Sequence, residues 1–191
     1  MNNRKFILPA FVLVVLVQLY VPAKMILDSE DILKSGVEYK FQTAPVDPYD
    51  PFRGKYITLQ YKENTIRVPE DTNWKKGDWV YVTLMKDNDD YAKLLDVSKE
   101  APNHTADYLK VRVNFIADNI LYIHYPFDRF YMEESKALEA ERIYRGSSRD
   151  QQQKSYALVM IRNGEAIIKD VMIDEVPIRE LVKEALENKG E

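Results

Sequence analysis

The sequence predicts a mainly β fold of the α+β kind: a single N-terminal transmembrane helix followed by an antiparallel β domain with two or three short helices. Three observations carry this. Short segments repeatedly alternate apolar and polar residues, most cleanly Leu109, Val111, Val113 and Phe115 against Tyr108, Lys110, Arg112 and Asn114. Asp118-Asn119 and Asn163-Gly164 separate such segments as tight-turn dipeptides, and Asn-Gly is the strongest short hairpin signal. An uncharged run, Phe6 to Ala23, precedes all of them.

Composition bounds the rest. A chain of 191 residues supports one domain with an appendage, and 46% apolar residues with only 6 glycines argue for a packed core. The division expected is 1–36 for a signal-anchor helix and its extension, and 37–191 for the β body. Thirteen tyrosines favour strands and half-buried surfaces. With no cysteine, disulfides and thiolate zinc sites are excluded. A net charge of −4 offers no electrostatic footprint for nucleic acid.

Eighteen residues of helix from Phe6 span about 27 Å, close to the roughly 30 Å hydrocarbon thickness of a bilayer. Arg4 and Lys5 before the run predict that this end stays cytoplasmic and the body is exported. Val21-Pro22-Ala23 also suits a cleavage site, so a removed secretory signal is the rival reading; the length of the run favours a retained anchor. Ile26, Leu27, Ile32 and Leu33 suggest a helical extension stopping at Gly36, with Asp28 or Ser29 capping a second short turn.

In the body, Val37 to Thr43 alternates as a strand. Pro45, Pro48 and Pro51 then fix φ and remove donors, and Asp47 and Asp50 can bond nearby backbone, which makes a stiff turn. From Tyr56 the chain alternates again, with Ile57, Leu59 and Tyr61 on the buried side, and Thr65 to Val68 is expected to return as its hairpin partner. Lys76-Gly77-Asp78-Trp79-Val80 echoes Arg53-Gly54-Lys55-Tyr56-Ile57. Two glycine-started strands explain this more simply than a duplicated ligand turn. Asp87 to Asp90 reads as a solvated hairpin tip before a strand over Tyr91 to Val97, lacking the glycine and distal glutamate of a calcium loop. Tyr108 to Phe115 and Ile120 to Tyr125 form a hairpin. Asp128 to Arg145 changes to helical spacing, and Gly146-Ser147-Ser148 with Gln151 to Gln153 reads as a link. Ser155 to Arg162 and Glu165 to Ile173 pair across Asn163-Gly164, and Pro177 opens a final helix. The count is about nine strands.

Gly54-Lys55-Tyr56-Ile57-Thr58-Leu59-Gln60-Tyr61, with its lead-in Pro45-Val46-Asp47-Pro48 and the pair Arg53-Gly54, resembles the signature of the GDYXXLXY family; Lys55 stands where that family has aspartate. Phe130 to Lys136 and Asn163 to Asp174 are similar to later segments of the family. The resemblance implies a membrane-anchored bacterial protein of unassigned activity, with a multi-pass membrane protein as partner.

Candidate chemistry is sparse. Arg53 beside Asp47 and Asp50 could grip an anion through its forked donors, or lock the turn by pairing with those aspartates. Glu134 and Glu141 would share a helix face about 10 Å apart, near the upper limit for an inverting glycosidase pair, although such spacing is ordinary for a wet helix side. His124 is expected as a satisfied, half-buried imidazole on a strand face with Tyr122 and Ile120, and His104 lies in Asn103-His104-Thr105, a glycosylation pattern. No phosphate loop, nucleophile elbow or His-Glu-X-X-His is present, and no cofactor is expected. The reading is an extracytoplasmic accessory or interaction protein of the cell envelope. Its surface would be built from Asp47, Asp50, Arg53, Tyr56, Tyr61, Arg129, Tyr131 and Glu134. The alternative is an envelope hydrolase using Glu134 as acid/base with Arg53 holding an anionic group.

Overall fold

A computed structural model of the chain describes residues 4–44, 56–70, 73–103, 105, 107–149 and 153–189. The proline-rich stretch with Asp47, Asp50 and Arg53 lies outside the described residues, as does His104.

The first element is one unbroken helix, α1 (Arg4–Ser35). No second cap forms at Asp28 or Ser29, because Lys24 pairs with Asp28 at 2.6 Å along the continuous helix. Residues Ile7–Ser35 contain a window of mean hydropathy 2.2, none of it buried, so this helix is long and apolar enough to cross a membrane. Its last turns rest against the body. Ile32 is buried, and Arg162 reaches back to both Asp31 and Ser35. Gly36 ends the helix where a Cβ would lie 2.6 Å from the Ile32 carbonyl and 3.0 Å from that of Ile161. Only a residue without a side chain lets helix and strand backbone approach so closely.

The strands are β1 (Val37–Ala44), β2 (Tyr56–Thr58), β3 (Gln60–Tyr61), β4 (Thr65–Arg67), β5 (Trp79–Lys86), β6 (Ala92–Ser98), β7 (Tyr108–Ala117), β8 (Ile120–His124), β9 (Arg129–Tyr131), β10 (Ser155–Arg162), β11 (Glu165–Ile173) and β12 (Val176–Pro177). Two helices join them, α2 (Glu134–Arg149) and α3 (Ile178–Glu187). One five-stranded sheet runs β12-β11-β10-β1-β3, a second runs β4-β8-β7-β5-β6, and β2 with β9 makes a separate ribbon. All named ladders are antiparallel, as expected of a mainly β fold.

Both expected hairpins form. Asn163 and Gly164 take φ of 51° and 86°, and Asp118 and Asn119 take 50° and 61°. Such left-handed pairs match the twist of the strands they join. Other expectations need correction. The segment from Tyr56 is not one strand, because Leu59 donates its N–H to the Asp128 carbonyl at 2.8 Å and the chain changes partner there. β2 pairs with β9, whereas β3 pairs with β1. Thr65 to Arg67 does not fold back on it but pairs with β8, Ile66 opposite Leu121. In β7 the register shifts between Val113 and Phe115, and this bulge turns Phe115 outward, where it stacks on Tyr122 with ring centroids 4.0 Å apart. The expected link at Gly146-Ser147-Ser148 is helical. Buried Ser147 bonds the Tyr144 carbonyl at 2.8 Å, so α2 continues past the glycine.

One hydrophobic core joins the two sheets. Its centre is aromatic: Phe41 meets Tyr61, Tyr125 and Phe127 with ring centroids 5.6, 5.4 and 5.2 Å away, all edge-on. The Tyr61 hydroxyl donates to the Phe127 carbonyl at 2.8 Å, which satisfies a polar tip that burial would otherwise strand. Burial pushes the phenols of Tyr61 and Tyr125 well above their ordinary pKa of 10.0. Burial, and Asp107 nearby, push Tyr39 up to about 12. The folded state thus favours the neutral phenol. This contribution is complete below pH 10.0 and is lost as pH climbs toward about 12. Unfolding free energy is expected to fall over that window, and a Tyr39→Phe variant to fall less steeply; denaturant melts at stepped pH test this.

Candidate functional site

The residues singled out in the sequence fall into three groups. Tyr56, Arg129 and Tyr131 come together on the β2–β9 ribbon, where Tyr56 faces Tyr131 and Thr58 faces Arg129. The two tyrosine rings lie 5.4 Å apart, and the Arg129 guanidinium sits 4.9 Å from the Tyr56 ring centroid. A hydrogen bond with the Tyr131 side chain, then the proximity of Tyr56 and Asp128, raises the Arg129 pKa further. Tyr131 is 61% exposed, so this ledge offers an apolar ring with a held cation beside it. Tyr61 is the second case. Expected on the binding surface, it is core instead, because it occupies the buried side of the alternation with Ile57 and Leu59. Asp47, Asp50 and Arg53 form the third group, outside the described residues.

Tyr131 also begins a cleft of about 400 Å³, continued by Met132, Glu133, Lys136, Arg179 and Lys183. Three of these are cations against one anion. Arg179 sits 5.2 Å from the Phe130 ring centroid and 3.6 Å from Asp170, which holds its head at the cleft wall. Burial raises the pKa of Asp170. Lys136 turns to Glu133 at 2.9 Å. Sequence reading missed Met132, Lys136, Arg179 and Lys183 as one surface. Three-residue β9 is too short to show a period, and α3 joins it only through tertiary packing.

A second, polar cleft of about 330 Å³ takes in Thr58, Asn64, Asn114, His124 and Asp128. His124 is not half-buried as expected. Its side chain is 59% exposed, with Nε2 3.7 Å from Asp128, because Leu121 and Ile123 take the inward face of β8. Among the described residues no group of three or more His, Cys, Asp or Glu side chains could hold a metal.

Glu134 is exposed in the first turn of α2 and lines neither cleft, and Glu141 is bound by Arg145 at 2.6 Å. A carboxyl acting as general acid needs desolvation to hold its proton, and an exposed first-turn glutamate has none. What the ribbon and its cleft can do is recognise: rigid aromatic surface, fixed cations and partly apolar walls suit a carboxylate-bearing or aromatic segment.

The profile of the GDYXXLXY protein matches residues 18–171, four fifths of the chain. The chain belongs to the GDYXXLXY family. No curated protein and no solved structure matches it. The family match takes in the C-terminal part of α1, the signature residues 54–61 and the whole ribbon. It stops before α3, so the Arg179 and Lys183 wall of the cleft lies beyond the GDYXXLXY segment.

Proposed function

We propose that this GDYXXLXY protein is a single-pass membrane-anchored accessory or interaction protein of the bacterial cell envelope, with its body on the extracytoplasmic side. The observation that carries the reading is α1: a helix long and apolar enough to span a bilayer, with none of its apolar window buried and its last turn packed on the body. Arg4 and Lys5 directly before the apolar run support the orientation by the positive-inside rule. The aromatic rings and held cation of the β2–β9 ribbon support recognition as its role. The partner fitting this arrangement is a multi-pass membrane protein met by the Tyr56–Arg129–Tyr131 ledge.

The test is photo-crosslinking in cells. A crosslinking residue at Tyr131 is expected to give a discrete membrane-protein adduct that one at Leu95, on the edge of the second sheet, does not. Arg129→Ala is expected to weaken the adduct about tenfold, the effect of losing one partly desolvated cation–ring contact and its charge. Equal adducts from both positions, or none from Tyr131, would remove the ledge from the account.

A further inference from the structure

The outer face of the second sheet carries a cluster that the proposed function leaves unused. On β5 and β7, Trp79 pairs opposite Arg112, Tyr81 opposite Lys110 and Thr83 opposite Tyr108. Lys110 Nζ lies 5.3 Å from the Trp79 ring centroid and 6.0 Å from that of Tyr81, and the Arg112 guanidinium is 5.5 Å from Trp79. The Tyr81 and Tyr108 rings meet edge-on at 5.8 Å. Trp79 is 52% exposed, and Lys110 and Arg112 are exposed without an ion pair among the described residues. On a chain of net charge −4, exposed cations seated on aromatic rings suit an anionic, amphipathic surface.

The position of the cluster narrows the choice. Lys110 donates its N–H to the Gly164 carbonyl at 2.9 Å, and the Tyr108 ring packs so closely on Gly164 that a Cβ there would lie 2.8 Å from Cε2. The same turn, through Arg162, Asn163 and Glu165, shares a cleft with Lys24, Asp28 and Asp31 of α1. Lys24 is the first charge beyond the apolar run, and Asp31 stands about 12 Å along the helix from Ala23. The cluster is thus joined, through the Asn163-Gly164 turn, to the stretch of α1 that directly follows the apolar run.

We infer that Trp79, Tyr81, Tyr108, Lys110 and Arg112 form a membrane-surface contact for the anionic headgroups of the bilayer that α1 spans. Tryptophan and tyrosine are the residues that settle at headgroup depth, and lysine and arginine beside them gain from anionic lipid. The contact would hold the body down on the membrane. The inference rests on α1 as an anchor, but not on the partner or on which side the body lies.

The full chain in nanodiscs tests it. Trp74 and Trp79 are the only tryptophans, and among the described residues the Trp74 indole N–H has no hydrogen-bond partner, so Trp74→Phe leaves Trp79 as sole reporter. Headgroup-labelled quencher lipid is expected to quench Trp79 in discs containing anionic lipid and much less in zwitterionic discs. Raising salt should relieve the quenching. Lys110→Gln and Arg112→Gln should each reduce the docked fraction's equilibrium constant about fivefold. A spin label at Thr83→Cys, with Leu138→Cys on α2 as the distant control, gives the same comparison without touching a tryptophan. A chain that fails to enter discs would sink the anchor reading itself. A chain that inserts but shows equal exposure of Trp79 and Thr83→Cys in both lipids overturns this inference alone. So does a Trp79 that responds to soluble polyphosphate or oligonucleotide while labelled lipid leaves it bright.

Discussion

Phe41→Ala is expected to lower the stability of the β body by about 3–5 kcal/mol, the cost of emptying a buried phenylalanine site. Phe41 is 1% exposed, and three aromatic rings lean on it edge-on. Its strand β1 pairs with both β10 and β3, so the ring sits where the chain passes from one strand partner to the next. Collapse into the vacancy is resisted because Tyr61 is tethered to the Phe127 carbonyl and Tyr125 to that of Glu63. A domain of ordinary stability, about 5–15 kcal/mol, would lose a large part of its margin. Phe41→Leu should recover more than half of the loss. Denaturant melts of both variants measure this, and a Phe41→Ala loss below about 1 kcal/mol would mean that the core is centred elsewhere.

Two charges in the middle of α1 should have the other large effect. Val14→Arg with Val17→Arg places two guanidinium groups near the centre of the apolar run, at roughly 2.5–3.5 kcal/mol each on the insertion scale. The double variant is expected to leave the alkali-resistant membrane fraction while its β body keeps its fold, because Val14 and Val17 are exposed and far from the core. Membrane fractionation beside a near-ultraviolet circular dichroism spectrum checks both halves. Retention in the membrane would point to attachment by another part of the chain.

The features legible in the sequence are those set by local chemistry. The apolar run, the hairpins at Asp118-Asn119 and Asn163-Gly164, and the helix after Pro177 depend on residues within one turn of each other. Pairing over long separations was not legible. Nothing local says that Val37 meets Ile161 or that Ile66 meets Leu121. The exposure of Phe115 follows from a one-residue bulge, which reverses the facing of all that comes after it. The candidate site divides along the same line. Tyr56, Arg129 and Tyr131 meet because two three-residue strands pair across more than seventy residues, too short for alternation to reveal. Tyr61 belongs to the signature, yet its alternation with Ile57 and Leu59 assigns it to the core.

Side-specific cysteine labelling reads out which face of the membrane the body occupies, since the native chain has no cysteine to interfere. Asp89→Cys lies at the exposed tip between β5 and β6, and Asn3→Cys precedes the apolar run. In spheroplasts, a membrane-impermeant maleimide is expected to modify Asp89→Cys at once and Asn3→Cys only after lysis. Labelling in the reverse order, or of both positions before lysis, would contradict an outward-facing body tethered by α1.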